Sequence, residues 1–361
     1  MADPPVYGSA APVLTVAGTR QPELARDLVR LDIEETTEGL RRLTLHLIAS
    51  AARSQPSHDV VEYLDGRPLD FGAPMQVVIG QPGTEKVVFT GTVSAIAAEY
   101  AEADAPVVVV RAEDDLMRLR MSQRSATYLH STDADVVRTV ASRHGLDAAV
   151  DLDGPQYDVV QQFNQSDLAF LRERARRLQA DLWFADGKVQ MATRDRRRGT
   201  AVTLTRGSDL LTLTARADLA EQCSSVRVSG YDASARQKID AEAPAETVEA
   251  ETSGGRTGPQ TLQRAFGVLS GRRVRDVPVV ESEARAVARA EMLRRSRRFV
   301  RLRGMTSGSP LLVVGSVITL RSCGRPFDGG GYYATRVHHT FDLAQGMRTH
   351  FEAERPTVNA S

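Results

Sequence analysis

The chain has 361 residues, 42% of them hydrophobic and 25% charged, and Lys plus Arg balances Asp plus Glu to a formal net charge of zero. This is room for two or three soluble globular domains. The neutral balance argues against nucleic acid as the primary partner, because such chains carry a net basic domain or stripe. Cys223 and Cys323 form no C-x-x-C spacing; they read as buried or half-buried free thiols of a reducing compartment, with no zinc or redox motif. The N-terminus, MADPPVYGSAAP, lacks a basic region followed by an apolar run. No stretch approaches the roughly 20 apolar residues of a membrane helix. Neither a secretory signal nor a membrane anchor is expected, and synthesis in the cytoplasm follows.

The N-terminal part reads as β-rich. Asp27 to Glu35 alternates, with Val29, Leu31 and Ile33 on one side, and Leu40 to Ala49 alternates through Leu43, Leu45 and Leu47. Further short strands are predicted at Met75–Ile79, Lys86–Thr90, Gly91–Tyr100 and Pro106–Arg111, with a turn cluster at Gly80-Gln81-Pro82-Gly83. Strands at short, even spacing predict a barrel or sandwich.

A short α/β segment follows. Ser131 or Thr132 caps a helix through Ala141, and His144-Gly145 closes it. From Val159 to Ala192 the order is strand, helix, strand, tight turn, strand. Ser166 is placed to cap the helix, and Asp167 adds a negative charge to its first turn. Leu168, Leu171, Ala175 and Leu178 share one face, opposite Arg172, Glu173, Arg176 and Arg177. Asp186-Gly187 signals a type I′ hairpin, with Leu182 and Phe184 on one face and Trp183 on the other.

Strands resume at Ala201–Thr205, Leu210–Ala217 and Cys223–Tyr231. Asp240 to Gln260 has almost no large apolar residue and is predicted to be a mobile loop. Ser282 to Arg297 is helical, acidic first and Arg-rich last. Phe299–Met305 is a strand, and the block after Pro310 reads as three strands with Gly-rich turns.

The words QFNQSDLAFLRERARRLQADLWFADGKVQ resemble the central segment of contractile-tail hub proteins. That family includes the phage late control D proteins and the hub half of the type VI secretion spike protein VgrG. Gln162, Asn164, Ser166, Asp167, Phe170 and Leu171 carry the match, with the acidic-Gly hairpin at Gly187. Gln179-Ala180 stands where the family often closes the helix with Gly. In the last block the resemblance continues at Gly315, Tyr333 and His339. It ends at a T-x-F-x-A-x-R terminus, Thr349, Phe351 and Arg355. It covers Asp27 to Pro356 and rests on the order of several weak matches.

The resemblance implies an α+β fold, mainly β: two related antiparallel β-barrels, an inserted α/β unit and a helix-bearing insertion. The first hub barrel is expected at residues 1–120 and the α/β unit at 121–198. The second barrel is expected at 199–231 and 306–356, the insertion with the mobile loop and helix at 232–305, and a tail at 357–361. It also implies a homotrimeric baseplate hub, since two similar barrels per chain let a three-fold spike dock on a six-fold tube. The implied partners are the spike protein, the inner tube protein, and baseplate and LysM-type proteins of a tail or injection particle. Because the chain ends soon after its last barrel strand, the spike is expected to be a separate chain. No catalytic residue, cofactor or metal is implied.

The residues themselves offer little chemistry. His338 and His339 face opposite sides of a strand, one core and one surface, so one metal cannot readily take both. No G-x-S-x-G elbow occurs; Gly304 to Gly308 has the wrong spacing. Asp114-Asp115 and Glu34-Glu35 are adjacent rather than convergent and read as solvated turn or edge charges. Gly254-Gly255 and Gly329 to Gly331 lack the Lys-Ser/Thr of a phosphate loop. Arg194 to Arg198 and Arg294 to Arg303 read as solvated faces plus interdomain pairs with the acidic loop, or as a surface matched to an acidic ring on a neighbouring tail protein. Two rival functions are a β-rich carbohydrate-binding module, which 5% aromatics and the lone Trp183 support poorly, and a tail-tip cell-wall hydrolase, which lacks a convergent acid pair.

Overall fold

The computed structural model describes residues 11–49, 61–80, 85–102, 104–197, 199–252, 254–273 and 278–359. The N-terminal ten residues, Gln81 to Gly83 of the predicted turn, and Arg198 lie outside the described residues.

Alternating apolar residues build the first barrel. β1 (Val13–Val16), β2 (Thr19–Arg20) and the short helix α1 (Pro22–Asp27) lead into β3 (Leu28–Thr36) and β4 (Arg42–Ile48). β5 (Pro74–Ile79), β6 (Lys86–Glu99) and β7 (Val107–Glu113) complete it. The strands pair antiparallel in the order β2-β1-β5-β6-β7-β4-β3. Leu43, Leu45 and Leu47 are buried as their alternation predicts. β3 departs from its pattern: a register shift between Leu28 and Arg30 turns Leu28 inward in place of Val29. One extra residue in a strand reverses the facing of everything on one side of it.

The α/β unit follows a 3₁₀ turn, Asp115–Arg120. It comprises β8 (Gln123–Ser131), α2 (Asp133–Arg143), β9 (Asp147–Asp151), β10 (Tyr157–Ser166), α3 (Asp167–Leu178), β11 (Ala180–Ala185) and β12 (Lys188–Thr193). Thr132 and Asp135 form a capping box on α2, and Ser166 Oγ accepts the Ala169 amide at the start of α3. Gln179 closes α3 in the left-handed conformation, φ 53°, and its amide side chain donates to the Arg176 carbonyl. The residue that stands in for glycine therefore does glycine's work with a hydrogen bond added. Asp186 and Gly187, φ 53° and 73°, make the predicted type I′ turn. β8 pairs with β10 as a ribbon, and β9 joins the β11–β12 hairpin in parallel.

The second barrel begins with β13 (Ala201–Thr205) and β14 (Leu210–Ala217) and is then interrupted. The insertion holds β15 (Ser225–Asp232), β16 (Gln237–Pro244), α4 (Glu246–Glu249), β17 (Arg256–Thr257), α5 (Gly258–Phe266), β18 (Ser270–Arg273) and α6 (Glu281–Arg297). The barrel resumes with β19 (Val300–Ser307), β20 (Val317–Arg321), β21 (Gly329–Asp342) and β22 (Gly346–Arg355), and β23 (Thr357–Val358) follows.

Three expectations are corrected here. β15 pairs with β16 and β18 inside the insertion rather than in the second barrel, whereas β19 pairs with β14 and β22 in the barrel. The stretch 240–260 is not a bare loop; it carries the end of β16, α4, β17 and the capped start of α5. Its small apolar residues suffice because α6 covers them: Ala241 and Ala243 share a core with Ala284, Val287, Ala288 and Met292. Thr357 and Val358, predicted as tail, are buried and pair with Thr257 and Arg256.

The two barrels are one 13-stranded sheet. β21 is the shared member. The first half of β21 pairs with β20, its second half pairs with β3, and β22 runs along its other edge. Phe341 and Met347 consequently sit in the core of the first barrel, although they belong to strands of the second.

Candidate functional site

The residues of the resemblance fall in three places. The first is the core of the α/β unit. Asp167 is fully buried. It accepts from Gln162 Nε2 at 2.9 Å, lies 2.7 Å from His144 Nε2, and pairs with Arg124 at 3.1 Å and Arg143 at 3.6 Å. Gln162, also buried, accepts from the Tyr128 hydroxyl at 3.2 Å, and Tyr128 stacks on Phe170 at 5.7 Å between centroids. Asn164 sits at φ 40° in the bulge between Gln162 and Gln165, where Asn tolerates the left-handed region. Phe170 and Leu171 are core. Asp167 thus does more than complement the dipole of α3: it neutralises Arg124 of β8 and Arg143 of α2 and holds the His144 ring in the turn after α2.

The second place is the junction of the barrels with the α/β unit. Arg197, just after β12, is buried beneath Gly315 and over the Trp183 ring at 4.2 Å. It donates to Glu35 Oε1 of β3 at 2.9 Å and to Asp181 Oδ2 of β11 at 3.2 Å. Asp181 also accepts from the Tyr333 hydroxyl of β21 at 2.5 Å, and Arg41 pairs with the other oxygen of Glu35. Burial, and then the Asp181 charge, push the Tyr333 phenol well above its usual range. Gly315 stands at φ 90°, and a Cβ there would meet Arg197 Nε at 3.0 Å. Arg194 stacks on Tyr333 at 4.7 Å and pairs with Glu354 of β22 at 2.6 Å. One chain of charges therefore links three units of the fold.

The third place is the second barrel. Arg355 is 1% exposed and has no carboxylate partner among the described residues. Its guanidinium donates to the carbonyls of Thr357 at 2.8 Å, Gly330 at 3.0 Å, Pro326 at 3.2 Å and Asp328 at 3.4 Å, over the Tyr332 ring at 4.0 Å. Burial lowers its pKa from the free value. Thr349 Oγ1 accepts the Ser309 amide at 2.9 Å and bonds His339 Nδ1 at 3.0 Å. Burial pushes His339 down to about 3. Phe351 packs against the bare Cα of Gly304.

Sequence reasoning missed the inward-facing acids. Glu35 and Asp114 are buried, not solvated, because the α/β unit covers that end of the first barrel. Asp114 accepts the Arg41 amide at 2.8 Å and caps the 3₁₀ turn through the Leu116 amide. The arginine clusters form the pairs that the sequence reading set beside solvated faces, one of them with the acidic segment. Arg196 pairs with Asp151 and Asp153, and Arg297 is buried against Glu251 of the acidic segment at 2.6 Å. His338 binds Asp32 at 2.9 Å and lies 5.7 Å from His350 across the strand pair, while His339 is the core histidine. Cys223 and Cys323 are free thiols, the first buried and the second half-buried.

Among the described residues, no cluster of three or more His, Cys, Asp or Glu is placed to hold a metal, and no helix is long and apolar enough to cross a membrane. A cleft of about 910 Å³ opens where the barrels, the α/β unit and the insertion meet. Its walls are mainly arginine and carboxylate side chains, with no aromatic ring among the described residues.

This arrangement, two sheet-fused barrels clamped by an α/β unit, is a fold shared with solved phage tail proteins. The 43 kDa tail protein of prophage MuSo2 from Shewanella oneidensis superposes with a TM-score of 0.67 at 15% identity, covering 96% of this chain and 98% of that one. A tail protein from Neisseria meningitidis MC58 gives 0.64 at 12% identity, with 96% of each chain covered. The E. coli c3393 protein, a component of the type VI secretion system, gives 0.59 at 13% identity over 96% of this chain and 79% of its own. The chain belongs to the Alg8 N-terminal domain family, whose profile matches residues 55–342. No curated protein matches it by sequence.

Proposed function

We propose that the protein is a structural hub subunit of a contractile phage tail or phage-derived injection particle. It would work as a homotrimer between a six-fold inner tube and a three-fold spike, with baseplate and LysM-type proteins around it. Function would lie in its interfaces and not in catalysis. The observation that carries this reading is β21, which pairs with strands of both barrels and sets them side by side in one continuous sheet. Two such barrels per chain turn three-fold symmetry into six similar positions. The fold shared with tail proteins and with a type VI secretion component supports the same setting. The residues of the resemblance are proposed as its rigidifying parts, since Tyr333 ties β21 to the α/β unit, the others with side-chain partners brace single units from within, and none forms a convergent reactive set. Light scattering on the purified chain, alone and with a co-expressed spike protein, tests this. Trimers are expected in at least one condition; a monomer in both at high concentration sinks the reading.

A further inference from the structure

The cleft between the units carries a charge excess that the fold does not use. Seven arginines line it against four carboxylates. Some of these charges are spent internally: Arg176 grips Glu38 in a bidentate pair, Arg294 does the same with Glu291, Arg194 pairs with Glu354, and Arg298 pairs with Glu221 outside the cleft lining. Others are not. Among the described residues Arg172 donates only to the carbonyls of Glu38 and Gly39, at 2.9 and 3.1 Å. Arg272 is exposed on β18 and has no ion pair among the described residues. Arg295 shares its carboxylate, Glu291, with Arg294. Arginines brought together from α3, β18 and α6 repel one another, and an anion entering beside Arg172 and Arg272 relieves the part that the internal carboxylates leave.

We propose that this cleft receives an acidic peptide segment of a neighbouring chain, its carboxylates held by Arg172, Arg272 and Arg295. Planar guanidinium groups match carboxylates in bidentate pairs. The cleft, at about 910 Å³, is far larger than a single small anion needs. A nucleic-acid strand fits less well: no aromatic side chain lines the cleft for base stacking, and Glu38, Asp181, Glu291 and Glu354 would face its phosphates. The inference rests on the hub reading only for the source of the segment; the site stands on the geometry of one chain.

The test uses the full chain and a dye-labelled hexaglutamate peptide, read by fluorescence anisotropy. Hexaglutamate should bind at about 0.05 M salt and weaken steeply by about 0.3 M. Arg272→Glu should weaken it by about tenfold, and Arg272→Lys by far less, because the first reverses the charge and the second retains it. Circular dichroism confirms that both variants fold. Absence of hexaglutamate binding, indifference to Arg272→Glu, tighter binding of oligothymidylate, or full displacement by inorganic phosphate at equal concentration each overturns the proposal. Light scattering on the same samples reports the trimer separately, so the two readings can fail independently.

Discussion

Arg197 and Glu35 are 162 residues apart in the chain and 2.9 Å apart in the fold, each with about 7% of its side chain exposed. One follows the last strand of the α/β unit and the other ends a strand of the first barrel. Their contact fixes how the two units sit. Arg197→Met would leave Asp181 and part of Glu35 buried without a cation, which costs about 3–5 kcal/mol. The Arg197→Met/Glu35→Gln double variant should lose less than the sum of the singles, and a urea-denaturation cycle measures that coupling.

Asp167 and Ser166 are neighbours with separable roles. Ser166→Ala removes one cap and should cost about 1 kcal/mol. Asp167→Ala leaves Arg124, Arg143 and Gln162 facing an empty buried position and should cost about 3 kcal/mol. Equal losses in chemical denaturation would show that capping alone explains both residues.

Arg355 spreads its guanidinium over four carbonyls and the Tyr332 ring. Arg355→Lys keeps the charge but loses the planar fork, and an ammonium with three donors leaves at least one of the four carbonyls unsatisfied. A loss of about 2 kcal/mol is expected, seen as a lower thermal midpoint. A variant as stable as the parent would contradict the clamp.

His339 sets a pH dependence. Above its free value of 6.5 the ring is neutral in folded and unfolded chains alike. As pH falls from 6.5 toward about 3, the unfolded chain takes up a proton that the buried ring refuses. Stability should therefore fall with pH in that window, by about 1.4 kcal/mol per pH unit from this group. Urea midpoints of His339→Gln should show a flatter profile there; an unchanged slope would rule the histidine out.

Local patterns in the chain already contained much of the fold. Ser166, Thr132 and Asp186-Gly187 act within a few residues of themselves, so caps and turns are legible from composition and spacing. The alternation of Leu43, Leu45 and Leu47 fixes a buried face without reference to its partner. Where the neighbour decides, sequence reading fails. Ala241 and Ala243 count as core only because α6 lies over them, and β15 leaves the barrel because β16 and β18 offer it edges.

The sequence by itself determined most elements outside the insertion, their order, and the resemblance carried by Gln162, Asn164, Ser166, Asp167, Phe170 and Leu171. Only the tertiary structure decided which charges are working parts. Glu35, Asp114 and Arg197 look like surface residues in the chain, since charge is normally solvated. They are buried because distant strands close over them, and a buried charge persists only when folding brings its partner within reach. The same closure gathers unspent arginines into one cleft, a convergence that no spacing along the chain records.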